Sequence, residues 1–156
     1  MRILFVCTGN TCRSPLSEAI ARKIAIERGL TDVEAMSAGT SAHDETPASD
    51  GSLLVGLERN MDLGGHRAQT LNRDLVRQAD LILAMGPHHL ERAMALGGEG
   101  KSHMLTAYAS HAASGTAISD PFGGDLEGYR ETYRELEREI RRLFDRLAAE
   151  RAPRTQ

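Results

Sequence analysis

The chain has 156 residues, 40% of them hydrophobic and 26% charged, the profile of about one globular domain with enough apolar surface to build a core. Its 22 acidic and 19 basic residues leave a net charge of −3, which argues against a protein whose main task is gripping nucleic acid or an anionic membrane. The two cysteines, Cys7 and Cys12, are too few and too close for a disulfide scaffold and exclude a four-cysteine zinc site.

Ile3-Leu4-Phe5-Val6 is a continuous apolar run, the mark of a strand buried on both faces. The run is too short for a signal peptide, and Gly9, Asn10 and Arg13 interrupt it at once. No stretch approaches the ~18 apolar residues of a membrane span, so a cytoplasmic setting with reduced thiols is expected. After the loop 7–13, Ser14 is expected to cap a helix with Pro15 at its first position and Glu18 in its first turn. Leu16, Ala19, Ile20 and Ile24 follow at helical spacing, and Gly29 marks the end.

A second strand is expected over 33–38, a helix over 48–60, a turn-rich loop over 62–70 and a short helix over 71–78. Residues 80–85 read as a third buried strand stopped by Gly86-Pro87, followed by a helix over 87–96 and a fourth, shorter strand over 102–105. The adjacent His88 and His89 have no matching carboxylate or cysteine motif and are expected at the surface, not on a metal. Residues 110–124 read as a long surface loop. In the last helix Tyr129, Tyr133, Leu136, Ile140, Leu143, Phe144 and Leu147 form one apolar stripe, and the arginines around it read as a solvated face laced with acids. Strands alternating with helices imply a single doubly wound α/β domain over 1–151, with a four-stranded parallel sheet flanked by helices. Residues 152–156 are expected to be a frayed tail.

Ligands in such a sheet bind at the carboxyl ends of the strands. The segment there after the first strand is Cys7-Thr8-Gly9-Asn10-Thr11-Cys12-Arg13-Ser14. Its backbone amides can form an anion nest against a helix N-terminus, with Gly9 and a left-handed Asn10 allowing the tight curl. Arg13 can grip two oxygens of a tetrahedral oxyanion. The same positive field favours a nucleophilic thiolate at Cys7. The segment therefore reads as an N-terminal phosphate-binding loop with a nucleophile at its floor. The loop amides and Arg13 supply the positive charge, so neither a metal nor another cofactor is called for.

The run from Cys7 to Pro15 resembles the signature loop of the low-molecular-weight protein tyrosine phosphatases. Ser37-Ala38-Gly39, Gly65-His66-Arg67-Ala68 and Asp120-Pro121-Phe122-Gly123-Gly124 resemble further segments of that family, in its order and spacing. The resemblance implies that Cys7 attacks phosphorus to form a phosphocysteine, that Arg13 and the loop amides stabilise the transferring group, and that Asp120 serves as general acid and then base. It also implies a supporting hydrogen-bond network of Asn10, Ser14, Ser37 and His66.

Thr11 stands where tyrosine phosphatases of the family usually carry a bulkier aliphatic residue, and Phe122-Gly123-Gly124 follows Asp120-Pro121 where many have two tyrosines. Both departures resemble the bacterial protein-arginine phosphatase branch, which makes Thr11 and Phe122 the candidate specificity residues. Phosphoarginine in proteins is the expected substrate and phosphotyrosine the alternative. An arsenate reductase needs further relay cysteines, and none follows Cys12. A one-turnover phosphocarrier is the other rival, against which Arg13 and Asp120 argue. Cys12 is either a small packing residue or a redox partner that pairs reversibly with Cys7. Phosphorylated proteins are the expected partners of a monomer or weak dimer, with no nucleic acid or membrane.

Overall fold

The computed structural model of the protein describes residues 1–112 and 115–151; the expected frayed tail 152–156 lies outside them. Four parallel strands, β1 (Arg2–Cys7), β2 (Glu34–Gly39), β3 (Leu81–Ala84) and β4 (Ser102–Met104), form one sheet in the order β2-β1-β3-β4. The chain leaves β1 toward one edge to make β2 and returns to the other side of β1 for β3. Such a reversal opens a crevice at the carboxyl ends of the strands, and Cys7, the last residue of β1, lies there.

Side chains alternate across the sheet, and both faces are covered. Ile3, Phe5 and Leu83 pack with Leu16, Ile20 and Ile24 of α1 (Arg13–Glu27) and with the stripe of α6 (Leu126–Arg151). On the other face Leu4, Val6 and Ile82 pack with Leu71, Val76 and Ala93. All seven stripe residues read from the last helix are buried. The α6 arginines pair with acids, for example Arg130 with Glu58 at 2.7 Å and Arg146 with Glu150 at 2.8 Å.

The remaining helices are α2 (Asp50–Glu58), α3 (Arg73–Gln78), α4 (Pro87–Ala93) and α5 (Leu105–Ser110). Several differ from expectation for local reasons. The α2 cap is Ser49, whose hydroxyl accepts from the Ser52 amide, so the helix starts after residue 48. The helix expected over 87–96 ends at Ala93 and widens into a π turn, Met94–Gly98, where Gly97 turns left-handed at φ 105°. The loop expected from residue 110 is preceded by α5, a six-residue helix too short for a periodic signal, closed by a left-handed His111.

Gly39 closes β2 against the loop after β1. The two elements are stitched by the Thr40 amide donating to the Cys7 carbonyl and the Ser41 amide to the Thr8 carbonyl, both at 2.9 Å. A Cβ on Gly39 would stand inside van der Waals contact of the Thr8 carbonyl oxygen and 3.0 Å from the Asn10 amide nitrogen. Both obstacles are backbone, so neither can swing away. Gly39→Ala is expected to cost roughly 1–3 kcal/mol of stability, the usual price of overpacking, read from urea unfolding midpoints at unchanged m-value; wild-type stability would show that the loop yields at this contact.

Candidate active site

Loop 7–13 is held from behind by a buried asparagine. Asn10 is fully buried and takes a left-handed φ of 58°. Its side-chain amide donates to Ser14 Oγ at 2.8 Å, and its Oδ1 accepts from the Gln69 backbone amide at 3.0 Å. His66 Nε2 lies 2.7 Å from the Asn10 carbonyl oxygen, which can only accept, so the imidazole donates there. Ser14 Oγ, which accepts from Asn10, lies 2.9 Å from Cys7 Sγ and has a hydrogen to give a thiolate there. A hydroxyl donating to sulfur stabilises the thiolate more than the thiol.

Three expectations change here. Ser14 does not cap α1: the helix begins at Arg13, and no side chain caps it. The Ser14 hydroxyl is spent inside the loop, which leaves the first amides of α1 uncapped by protein side chains. Ser37 does not join the network through its hydroxyl, which donates to Glu18 at 3.1 Å, but its carbonyl accepts from the Gln69 side chain at 2.9 Å. Glu18, expected in the first turn of the helix, sits in the second, where it also pairs with Arg22 at 3.1 Å. Gln69 is the supporting residue that the sequence reading missed. Much of its contribution comes from its backbone, which donates to Asn10 and accepts from Gly39, and no residue-type pattern marks that.

Arg13 is buried, with Nη1 donating to the Ile118 carbonyl at 3.2 Å and Nη2 standing 3.6 Å from Asp120 Oδ2. The segment carrying Asp120 is pinned from three sides. The Ile118 amide donates to the Met85 carbonyl beyond β3 at 2.8 Å. Thr132 of α6 donates to the Ser119 carbonyl at 3.3 Å, and the Phe122 amide donates back to Asp120 Oδ1 at 3.1 Å. Cys7, Thr8, Gly9, Thr11, Cys12, Arg13, Asp120 and Phe122 line one cavity of about 200 Å³. Phe122 is 75% exposed at its rim. Size alone does not mark this site. A larger cavity, about 780 Å³, is lined by His103, Tyr108 and Arg146 among others, and by no cysteine.

Cys12 lines the same cavity as Cys7 with its thiol free. Its sulfur lies 3.3 Å from Ser49 Oγ and 3.4 Å from the Tyr129 hydroxyl. The Thr11 carbonyl accepts from the Ser49 amide at 2.9 Å, so α2 and the loop share an anchor. The histidine pair divides. His88 is exposed as expected, but His89 is 6% exposed. The turn at Gly86-Pro87 starts α4 so that its third residue points inward, where His89 Nε2 lies 2.8 Å from Thr8 Oγ1.

The family model for low molecular weight phosphotyrosine protein phosphatases matches residues 2–153. The chain belongs to this family. It is 36% identical over 150 residues to the protein-arginine-phosphatase of Geobacillus stearothermophilus, covering 96% of this chain and 98% of that one. It is 39% identical over 131 residues to the low molecular weight protein-tyrosine-phosphatase PtpB of Staphylococcus haemolyticus, covering 83% and 88%. A solved structure of the YwlE arginine phosphatase, a cysteine-to-serine mutant with a phosphorylated active-site serine, superimposes with a TM-score of 0.88 at 36% identity, covering 97% and 98%. The protein is thus a cysteine-dependent protein phosphatase with the family's four-stranded parallel α/β fold.

In this phosphatase His89 is held well below the ordinary histidine range, from 6.5 down to about 4, first by burial and then by the charges of Arg13 and His88; Asp120 opposes the shift. The unfolded chain takes up this proton near pH 6.5 and the folded chain only near pH 4. Between those values the unfolded state binds more protons, so the stability present above the window is lost as pH falls through it. His89→Gln removes the titration. Its Tm is expected to drop less than that of the wild type between about pH 7 and about pH 4.5; equal drops would contradict a buried neutral imidazole.

Proposed function

We propose that the phosphatase hydrolyses phosphoarginine in proteins through a phosphocysteine intermediate. The Cys7 thiolate attacks phosphorus in line, and the P–N bond to the guanidinium nitrogen breaks as the electron pair leaves with nitrogen. Asp120 delivers its proton to that nitrogen. Arg13, its guanidinium plane fixed by the Ile118 carbonyl, and the loop amides bind the equatorial oxygens as charge spreads over them. Asp120 then takes a proton from water, the water oxygen attacks phosphorus, the S–P bond breaks, and phosphate leaves with Cys7 restored as thiolate. The likeness to a mutant with a phosphorylated active-site serine supports Cys7 as the group that carries the phosphoryl.

The observation that carries the arginine assignment is Thr11 on the wall of the same cavity as Cys7, facing a rim with one aromatic side, Phe122, followed by Gly123 and Gly124. A short polar side chain leaves room for a planar guanidinium and offers it a hydroxyl. Phe122 offers an apolar face on which a cation can stack. The likeness to PtpB favours phosphotyrosine as the second reading. A cytoplasmic setting, where Cys7 stays reduced, suits the proposed nucleophile.

The deciding experiment compares kcat/KM on matched phosphoarginine and phosphotyrosine peptides, with Cys7→Ser as blank. The expected result is a preference for phosphoarginine, and Asp120→Ala should lower turnover by about 10²–10⁴-fold. Thr11→Ile should move the preference toward phosphotyrosine by about tenfold or more, because pocket shape sets the difference in transition-state binding. A wild-type preference for phosphotyrosine overturns the arginine assignment while leaving the phosphocysteine chemistry in place.

A further inference from the structure

His89 presents a hydrogen-bonding problem that the reaction as drawn does not use. Its ring is 6% exposed, Nε2 meets Thr8 Oγ1 at 2.8 Å, and Nδ1 is buried with no hydrogen-bond partner among the described residues. Nδ1 faces Gly86 so closely that a Cβ there would stand 3.3 Å from it. One of two tautomers must be present. With the proton on Nδ1, the protein buries an unpaired N–H donor, and orphaned buried donors are rarer than under-used acceptors. With the proton on Nε2, only a bare lone pair is buried, and the imidazole donates to Thr8 Oγ1. The second arrangement is the cheaper, and it settles the Thr8 hydroxyl: its oxygen accepts from His89, so its hydrogen must be given elsewhere. Thr8 is exposed to the cavity that holds Cys7, Arg13 and Asp120.

We propose that Thr8 is an oriented side-chain donor to the transferring phosphoryl group and that His89 is its positioning residue. The inference rests on the phosphatase reading of this cavity and holds for either phosphorylated substrate. Backbone amides of a nest point where the loop curl puts them, whereas a threonine hydroxyl rotates freely unless a neighbour fixes it. His89 supplies that constraint from beneath, out of solvent. Burial holds its pKa down at about 4, so near neutral pH it orients Thr8 as an uncharged donor of a single hydrogen bond.

Thr8→Val keeps the branched shape and removes the hydroxyl. It is expected to lower kcat/KM by about tenfold or more, the usual effect of one hydrogen bond to a charged group. Inhibition by orthovanadate, an oxyanion that mimics the transferring group, should weaken in parallel, while Tm falls by only a few degrees, the cost of leaving the His89 Nε2–H unpaired. Thr8→Ser should restore activity toward wild type. His89→Leu should reproduce the Thr8→Val loss, and His89→Gln, whose amide can make the same donation, should recover most of it. The double variant Thr8→Val/His89→Leu should be no worse than Thr8→Val alone, because both changes remove one donor. If Thr8→Val retains wild-type kcat/KM and vanadate inhibition, or if the two losses multiply, the proposal is overturned. Should His89→Leu fail to fold, the Thr8→Val and Thr8→Ser pair still decides it. Failure of the phosphatase reading looks different: wild type and every variant alike would release no phosphate.

Discussion

A buried asparagine in a left-handed conformation, at φ 58°, is the constraint on which the rest of this site hangs. The conformation costs an L-residue roughly 1 kcal/mol, and burial of an amide costs more unless every group is paired. Ser14, Gln69 and His66 pair it on three sides. Each of those contacts also sets something in the cavity. Ser14 is turned toward Cys7, Gln69 ties the loop to β2 through the Ser37 carbonyl, and His66 fixes the carbonyl at the apex of the curl. The strain in one residue is thus offset by contacts that orient loop 7–13.

The acidic segment is held by the same logic at a longer range. Arg13 lies within loop 7–13, yet its guanidinium donates to the Ile118 carbonyl, two residues before Asp120. Ile118 is anchored in turn to the end of β3 through Met85. The cation and the candidate acid therefore share a rigid support at the carboxyl end of an interior strand, and the exposed Asp120 carboxylate needs no deep burial to be well placed. The central strand, whose far end is tied to Glu34 and Asp80, fixes where this support stands.

Much of this was legible in the chain itself. The apolar runs at 3–6 and 81–84 marked buried parallel strands, because a strand covered on both faces must be apolar throughout. The α6 stripe was readable because a 26-residue helix repeats its period many times. The tight curl of Cys7, Asn10, Arg13 and Ser14 between a strand and a helix was readable because it is local. Asp120 was legible only through resemblance, since an aspartate before proline is equally a turn residue. Gln69, His89 and the altered role of Ser37 were not legible. Each acts on the loop from a part of the chain at least 23 residues away from it.

The amino-acid sequence by itself determined the sheet, the loop and the types of group available for chemistry, because these follow from periodicity and from neighbours a few residues apart. Tertiary structure decided which polar groups pair. The Ser14 hydroxyl could have capped a helix, and His89 could have faced water as His88 does. The inward turn at Gly86-Pro87 instead buries His89 beside Thr8, and the curl of the loop sets Ser14 between Asn10 and Cys7. A polar side chain chooses its partner by what is within hydrogen-bond reach once water is excluded, and that reach is fixed only when the strands and helices have packed.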